Sequence, residues 1–136
     1  VLEYRVHLEE QKKMDFARAL KILEDEKQKI ELLKSDLAKI TDNLNLDLKK
    51  GNFNVFIMDV TRKYISRLKK EILNQQDIIE KANENCLEKK KIMIEAQQDR
   101  KAIEKLEEKE KKQFYKDTLK KEQNILDEIG AKKRVN

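Results

Sequence analysis

Over its 136 residues the chain has no proline, and its only glycines are Gly51 and Gly130. These are the two residue types that most effectively end a helix. Proline removes a donor and clashes with the preceding turn, and glycine loses the most backbone entropy on ordering. The stretch EAQQDRKAIEKLEEKEKKQF, residues 95–114, has neither and consists largely of strong helix formers. Long helices are therefore the first expectation.

A globular core is not expected, because 43% of the residues are charged, 5% are aromatic and none is tryptophan. Highly charged chains are often disordered, so the placement of the apolar residues has to decide. That placement is periodic. Leu2, Val6, Phe16, Leu20, Leu23, Ile30, Leu37, Leu44 and Leu48 fall on one alternating four-three spacing, with Glu9, Lys13, Lys27, Lys34 and Thr41 as its polar members. A second seam runs through Ile57, Thr61, Tyr64, Leu68, Ile78, Ala82, Ile92, Ala96, Ile103 and Leu106. Glu71, Gln75, Asn85, Lys89 and Asp99 are its polar members, and Ile72, Ile79 and Met93 widen the stripe.

Between the seams lies KKGNFN, residues 49–54, where Gly51 can take the left-handed cap conformation and Asn52 or Asn54 can cap the next helix. Two helices joined so tightly lie antiparallel. The fold expected is all-α, a single antiparallel coiled-coil hairpin over 1–136, with helix 1 at about 1–48, the loop at about 49–54 and helix 2 at about 55–130. If facing numbers total about 105, Leu37 meets Leu68, Leu23 meets Ala82, Leu48 meets Ile57 and Lys34 meets Glu71. The core so predicted is Leu20, Leu23, Leu37, Leu44, Leu48, Ile57, Leu68, Ile78, Ala82, Ile92 and Ile103.

Helix 1 would be about 70 Å long and helix 2 could approach about 115 Å, so helix 2 is expected to overhang from near Leu106. Because Val1 stands in mid-pattern without an initiator methionine, earlier residues are expected to pair with some of that overhang. Past Leu106, EKEKKQ shifts the register, and Tyr115, Leu119, Leu126 and Ile129 resume a stripe.

The chemistry a chain like this lacks narrows its function. One cysteine, Cys86, cannot form an internal disulfide, and with one histidine, His7, it cannot complete a structural metal site. Both read as ordinary residues on or beside the helix interface. There is no phosphate-cradling glycine loop, serine elbow or dinucleotide fingerprint, and a two-helix rod offers no shielded pocket for a carboxylate pair. The chain is expected to be no enzyme, with no catalytic residue, cofactor or metal. No apolar run approaches the roughly 18 residues a bilayer span needs, the most apolar patch being FNVFIMDV, residues 53–60. A soluble cytoplasmic protein without membrane insertion is expected.

A formal net charge of +5 invites a nucleic-acid reading, but the lysines alternate with glutamates along both helices rather than gathering on one stripe. The exceptions are LEKKK at 87–91, KEKK at 109–112 and AKKR at 131–134, which serve for solvation, phosphate contact or docking to an acidic protein surface. Two competing classes stay open: a nucleic-acid-binding coiled-coil arm, like the projecting hairpin of a tRNA-handling enzyme, and a plain scaffolding coiled coil. The first would retard RNA with a steep salt dependence, and the second would assemble into larger bundles.

The segment from Glu95 to Leu106, with Ala96, Gln97, Arg100, Lys101, Ala102, Glu104 and Lys105, precedes a second segment with Glu122, Gln123, Asp127 and Glu128. Together they resemble the carboxy-terminal signature of the flagellar type III export protein family FliJ, and VLEYR at residues 1–5 is similar to that family's start. Gly130 departs from the pattern beside the alanine expected there, and is expected to loosen the helix end.

The resemblance implies a two-stranded antiparallel coiled coil shaped like the central stalk of a rotary ATPase. By it, the end bearing the termini sits in the pore of the hexameric export ATPase and stimulates hydrolysis. The hairpin tip meets the cytoplasmic domain of the membrane export gate, at the inner face of the cell membrane at the flagellar base. A role with export chaperones in handing over cargo is also implied, and nucleic acid is not an expected partner. The residues so assigned to the ATPase are Arg100, Lys101, Lys105, Glu122, Gln123, Asp127 and Glu128, whose mixed charge suits reversible contact. At the tip, Phe53, Phe56, Tyr64 and Leu68 either close the hairpin against Leu37, Ile40 and Leu44 or remain as anchors for the gate.

Overall fold

The structure, a computed structural model, describes residues 1–51 and 54–135, with side chains described through residue 133. Two helices account for it, α1 (Leu2–Lys50) and α2 (Val55–Val135), packed as an antiparallel hairpin, and the described residues include no strand. α2 runs through Gly130, because one glycine costs a helix only about 1 kcal/mol, too little to end it where the flanking residues favour it.

Gly51 ends α1 with φ of 73° while its N–H donates to the Leu48 carbonyl at 3.3 Å, a bond of the left-handed glycine cap. Asn54 starts α2. Its Oδ1 accepts from the backbone N–H of Phe56 at 3.1 Å and Ile57 at 3.3 Å, and its carbonyl accepts the first helical bond, from Met58 at 2.9 Å. Asn52, the other candidate cap, lies outside the described residues.

The structure divides into two units, Gln11–Met93 and the combination of Val1–Glu10 with Ile94–Asn136. In the first, the covered face of α1 steps through Lys12, Phe16, Ala19, Leu23, Glu26, Ile30, Leu33, Leu37, Ile40 and Leu44. That of α2 steps through Met58, Thr61, Ile65, Leu68, Ile72, Gln75, Ile79, Ala82, Cys86, Lys89 and Met93. Both follow three-four spacing, the signature of a coiled-coil seam. The tightest core is Ala19, Leu23 and Cys86, with Phe16, Ile79 and Ala82 packed against it.

Each helix thus uses one of the two columns expected from its sequence, the Phe16–Leu23–Ile30 column on α1 and the Thr61–Leu68–Gln75 column on α2. The second column of each is displaced by one residue. Leu20, Ile57 and Ile78, expected in the core, are therefore exposed, and Ala19, Met58 and Ile79 take their places. The cause is on α2: Met58, Ile65, Ile72, Ile79, Cys86 and Met93 recur every seven residues without a polar break, whereas the column one residue earlier contains Glu71 and Asn85. Burying the unbroken column removes more apolar surface from water and strands no charge. Of the remaining expected core residues, Leu23 and Leu68 are buried, and Leu37, Leu44, Leu48, Ala82 and Ile92 are half-buried.

The expected Lys34–Glu71 pair does not form the seam's ionic layer. Glu71 instead accepts from Arg67 Nε, one turn earlier on α2, at 3.2 Å. The polar layer that bridges the helices is Gln75 with Glu26: the amide Nε2 donates to the Glu26 carbonyl at 3.0 Å and also to its carboxylate.

In the other unit, Leu2, Arg5 and Glu9 of α1 cover Ala96, Arg100, Ile103 and Glu107 of α2. From Glu108 to Lys133, α2 is exposed except for half-buried Thr118 and Gly130. Over that length i,i+4 bonds such as Gln113 to Asp117 and Gln123 to Asp127, both 3.1 Å, support the helix.

Candidate functional site

Two surfaces hold the residues singled out from the sequence, one in each unit. In the unit of Val1–Glu10 with Ile94–Asn136, the basic members behave differently from one another. Arg100 is not a free surface cation: its Nε donates to Glu9 of α1, and its Nη1 donates to Glu104 at 2.8 Å. The Glu9 carboxylate beside it, and then Glu104, push the guanidinium's pKa above its already high ordinary value. Glu9 itself is buried, so this pair helps to fix the register between α1 and α2 in this unit.

Arg5 extends the same layer, with Nη1 at 3.6 Å from Asp99 and its guanidinium 5.9 Å from the Tyr4 ring centroid. These contacts were not legible from the seam, which placed Val6 where Arg5 lies. Nothing within either helix announced the Glu9–Arg100 pair: at the expected total Glu9 faces Ala96, one turn away from Arg100, so the pairing depends on the register the two helices adopt.

Lys101, Lys105, Glu122, Gln123, Asp127 and Glu128 are exposed. They are not gathered into one cluster: Lys101, Lys105, Glu122 and Gln123 lie on or beside the helix face that presents Tyr115, Leu119, Leu126 and Ile129, all exposed, whereas Asp127 and Glu128, one and two residues beyond Leu126, turn away from it. Leu106 is exposed as well, at the place where the expected seam gives out. Such a face combines apolar anchors with weak, individually replaceable ionic contacts, which suits reversible docking to a larger protein.

At the tip, in the unit of Gln11–Met93, Phe56 is 76% exposed and Tyr64 43%. Leu68, grouped with them in the sequence reading, is 3% exposed and belongs to the seam, so it cannot anchor a partner. Phe53 lies outside the described residues. The surface includes two groups the sequence reading did not assign to it, Val55 and Val60, both exposed. Val60 follows Phe56 by one turn and Tyr64 follows Val60 by another, so the three share one stripe. Beside the turn, Ile40, Leu44, Leu48, Ile57, Met58 and Thr61, with Asn43, Asp47, Gly51 and Asn54, line an open cleft of about 720 Å³.

Among the described residues no group of histidine, cysteine and carboxylates could hold a metal ion, and no helix is long and apolar enough to cross a membrane. Cys86 is buried within the helix interface, where it packs as a small apolar side chain.

Compared with known proteins, the chain matches a family profile described as the flagellar FliJ protein over residues 1–134. No curated protein and no solved structure matches it.

Proposed function

This chain belongs to the flagellar FliJ family and is a component of the flagellar export apparatus, and from that membership we propose that it serves as a non-catalytic stalk for the export ATPase. The observation that carries the reading is the apolar stripe of Tyr115, Leu119, Leu126 and Ile129 that α2 presents at its surface among the charged residues 108–133. A helix in water gains little from remaining straight and half-apolar unless another protein uses the face.

In this reading the arm enters the ATPase ring, and Lys101, Lys105, Glu122, Gln123, Asp127 and Glu128 make contacts that equivalent subunits exchange in turn. Low energy per contact is what such exchange requires, because a tightly held stalk would stop at one position. Arg100 takes a different part: held by Glu9 and Glu104, it keeps the base of the arm in register. The tip stripe of Phe56, Val60 and Tyr64 contacts the cytoplasmic domain of the membrane export gate, and the exposed helical faces meet export chaperones that hand over cargo. The protein works in the cytoplasm against the inner face of the membrane at the flagellar base.

The test is stimulation of nucleotide hydrolysis by the purified export ATPase. The full chain raises the rate, and a chain ending at residue 107, which retains the α1 pairing, does not. Equal stimulation by the two would reject the stalk assignment. Phe56→Ala with Tyr64→Ala leaves stimulation intact and weakens capture of the gate's cytoplasmic domain, so the two surfaces are read separately.

A further inference from the structure

The formal net charge of +5 is local. Residues 47–70, the turn with the helix ends on either side of it, contain seven lysines and arginines against two aspartates, an excess equal to the charge of the whole chain. The remaining residues are therefore balanced. The segment lies within the unit of Gln11–Met93.

On α2 part of this excess shares one face with apolar residues. Phe56, Val60, Lys63, Arg67 and Lys70 follow four-three-four-three spacing, so they form one column, and all five are exposed. The column stands opposite the seam of Met58, Thr61, Ile65 and Leu68, on the side that α1 does not cover. It is apolar over its first turn and cationic beyond, and extends about 21 Å. Lys63 has Asp59 at 3.1 Å and Arg67 has Glu71 at 3.2 Å, each one turn away on the same helix; among the described residues Lys70 has no ion pair. Water-exposed pairs of this kind are weak and yield to a surface of higher negative charge. Past Lys70 the column continues through Asn74, Asp77, Lys81, Glu84 and Glu88, where acidic residues outnumber the one lysine. Attraction to an anionic surface therefore ends near Lys70.

A convex helix face without a pocket of its own meets a plane along its whole length, whereas a rigid protein partner needs a matching groove. A bilayer surface supplies the plane and both chemistries. Lipids rearrange around apolar side chains at the acyl boundary, and anionic headgroups receive the cationic ends of long side chains whose stems lie along the apolar surface.

We propose that the outer face of α2 from Phe56 to Lys70 docks on the surface of a bilayer that contains anionic phospholipid. No span is involved: Phe56 and Val60 enter the headgroup region, and Lys63, Arg67 and Lys70 pair with lipid phosphates. The proposal goes beyond the contact with the export gate and does not depend on it, because its partner is the lipid. Phe56 and Val60 border both surfaces, while the three cations belong to this one.

The experiment is co-sedimentation of the full-length chain with vesicles of phosphatidylcholine alone or mixed with phosphatidylglycerol. The chain binds the mixed vesicles and not the neutral ones, and binding falls as salt rises. Lys63→Gln with Lys70→Gln weakens binding by about tenfold or more, since each cation near an anionic leaflet contributes a few-fold. Lys90→Gln with Lys91→Gln removes the same charge elsewhere on α2 and leaves binding nearly unchanged. The chain has no tryptophan, so Phe56→Trp gives a single reporter. Its emission moves to the blue on the mixed vesicles, as the indole enters the interface. Equal binding to both vesicles, no binding to the mixed ones, an equal loss from the Lys90 and Lys91 variant, or an unmoved emission overturns the proposal. Capture of the gate's cytoplasmic domain by the Lys63 and Lys70 variant is measured in lipid-free solution. Unchanged capture with weakened vesicle binding supports the proposal. Lost capture with unchanged vesicle binding shows that the cations serve an acidic protein surface, and overturns it. Vesicle binding that fails while capture persists removes the lipid contact alone, and capture that fails while vesicle binding persists in the unmodified chain removes only the gate reading.

Discussion

Replacing Leu23 by alanine and, separately, Leu20 by alanine tests the helix register directly. Leu23 is 4% exposed, between Ala19 and Cys86, with Phe16, Ile79 and Ala82 around it. Truncation to alanine forfeits most of the transfer energy of a leucine side chain, about 2 kcal/mol. A cavity cost is added, at the low end of the usual range because a core one layer thick can partly close. The expected loss for Leu23→Ala is about 2–3 kcal/mol. Leu20 is 43% exposed, so about half that transfer term is at stake. Alanine's higher helix propensity returns a few tenths of a kcal/mol, which leaves a net loss under about 1 kcal/mol. Urea unfolding followed by far-UV circular dichroism gives both values. Equal losses for the two variants, or a larger one for Leu20→Ala, would show that the seam runs through Leu20 and that the reasoning about Ala19 and Ile79 is wrong.

Gly51→Ala is expected to destabilise the hairpin by about 1 kcal/mol: φ is 73° and nothing lies within 4 Å of an added Cβ, so the whole cost is backbone strain, read as a fall in melting temperature. Asn54→Ala removes the acceptor for two helix-start N–H groups and costs about 1 kcal/mol in denaturant unfolding, while Asn54→Asp retains the cap and costs far less. The hydrogen bond from Gln75, aided by Lys29, holds the Glu26 pKa below the ordinary carboxylate value. A lowered folded-state pKa contributes stability above the unfolded-state value and loses it as pH falls through the folded one. The hairpin therefore weakens below about pH 4. An acid titration of Glu26→Gln should show a shallower loss over that range, and an unchanged slope would remove Glu26 from the account.

The two-helix hairpin was legible because its determinants are local. The absence of proline, a glycine able to take positive φ at residue 51 and an asparagine at the next helix start act within a few residues, and the structure uses Gly51 and Asn54 in those roles. At the candidate surfaces, exposure of Phe56 and Tyr64 was left open by the sequence because an aromatic near a turn serves equally to close a hairpin or to face outward. The commitment of Arg100 to Glu9 was invisible because it joins residues far apart in the chain whose contact depends on register.

Sequence alone determined that the chain forms two helices, where it reverses, and one column of the seam on each helix. Tertiary packing decided the other column. On α1 the columns through Ala19 and Leu20 offer comparable apolar content, so nothing within that helix distinguishes them. The choice was made by α2, whose unbroken run from Met58 to Met93 gains more by facing inward than its neighbour does. Because α1 had to present the face that fits, Leu20 was left in water and Leu23 was not. Burial free energy belongs to the pair of surfaces, and a single helix read alone holds only half of it.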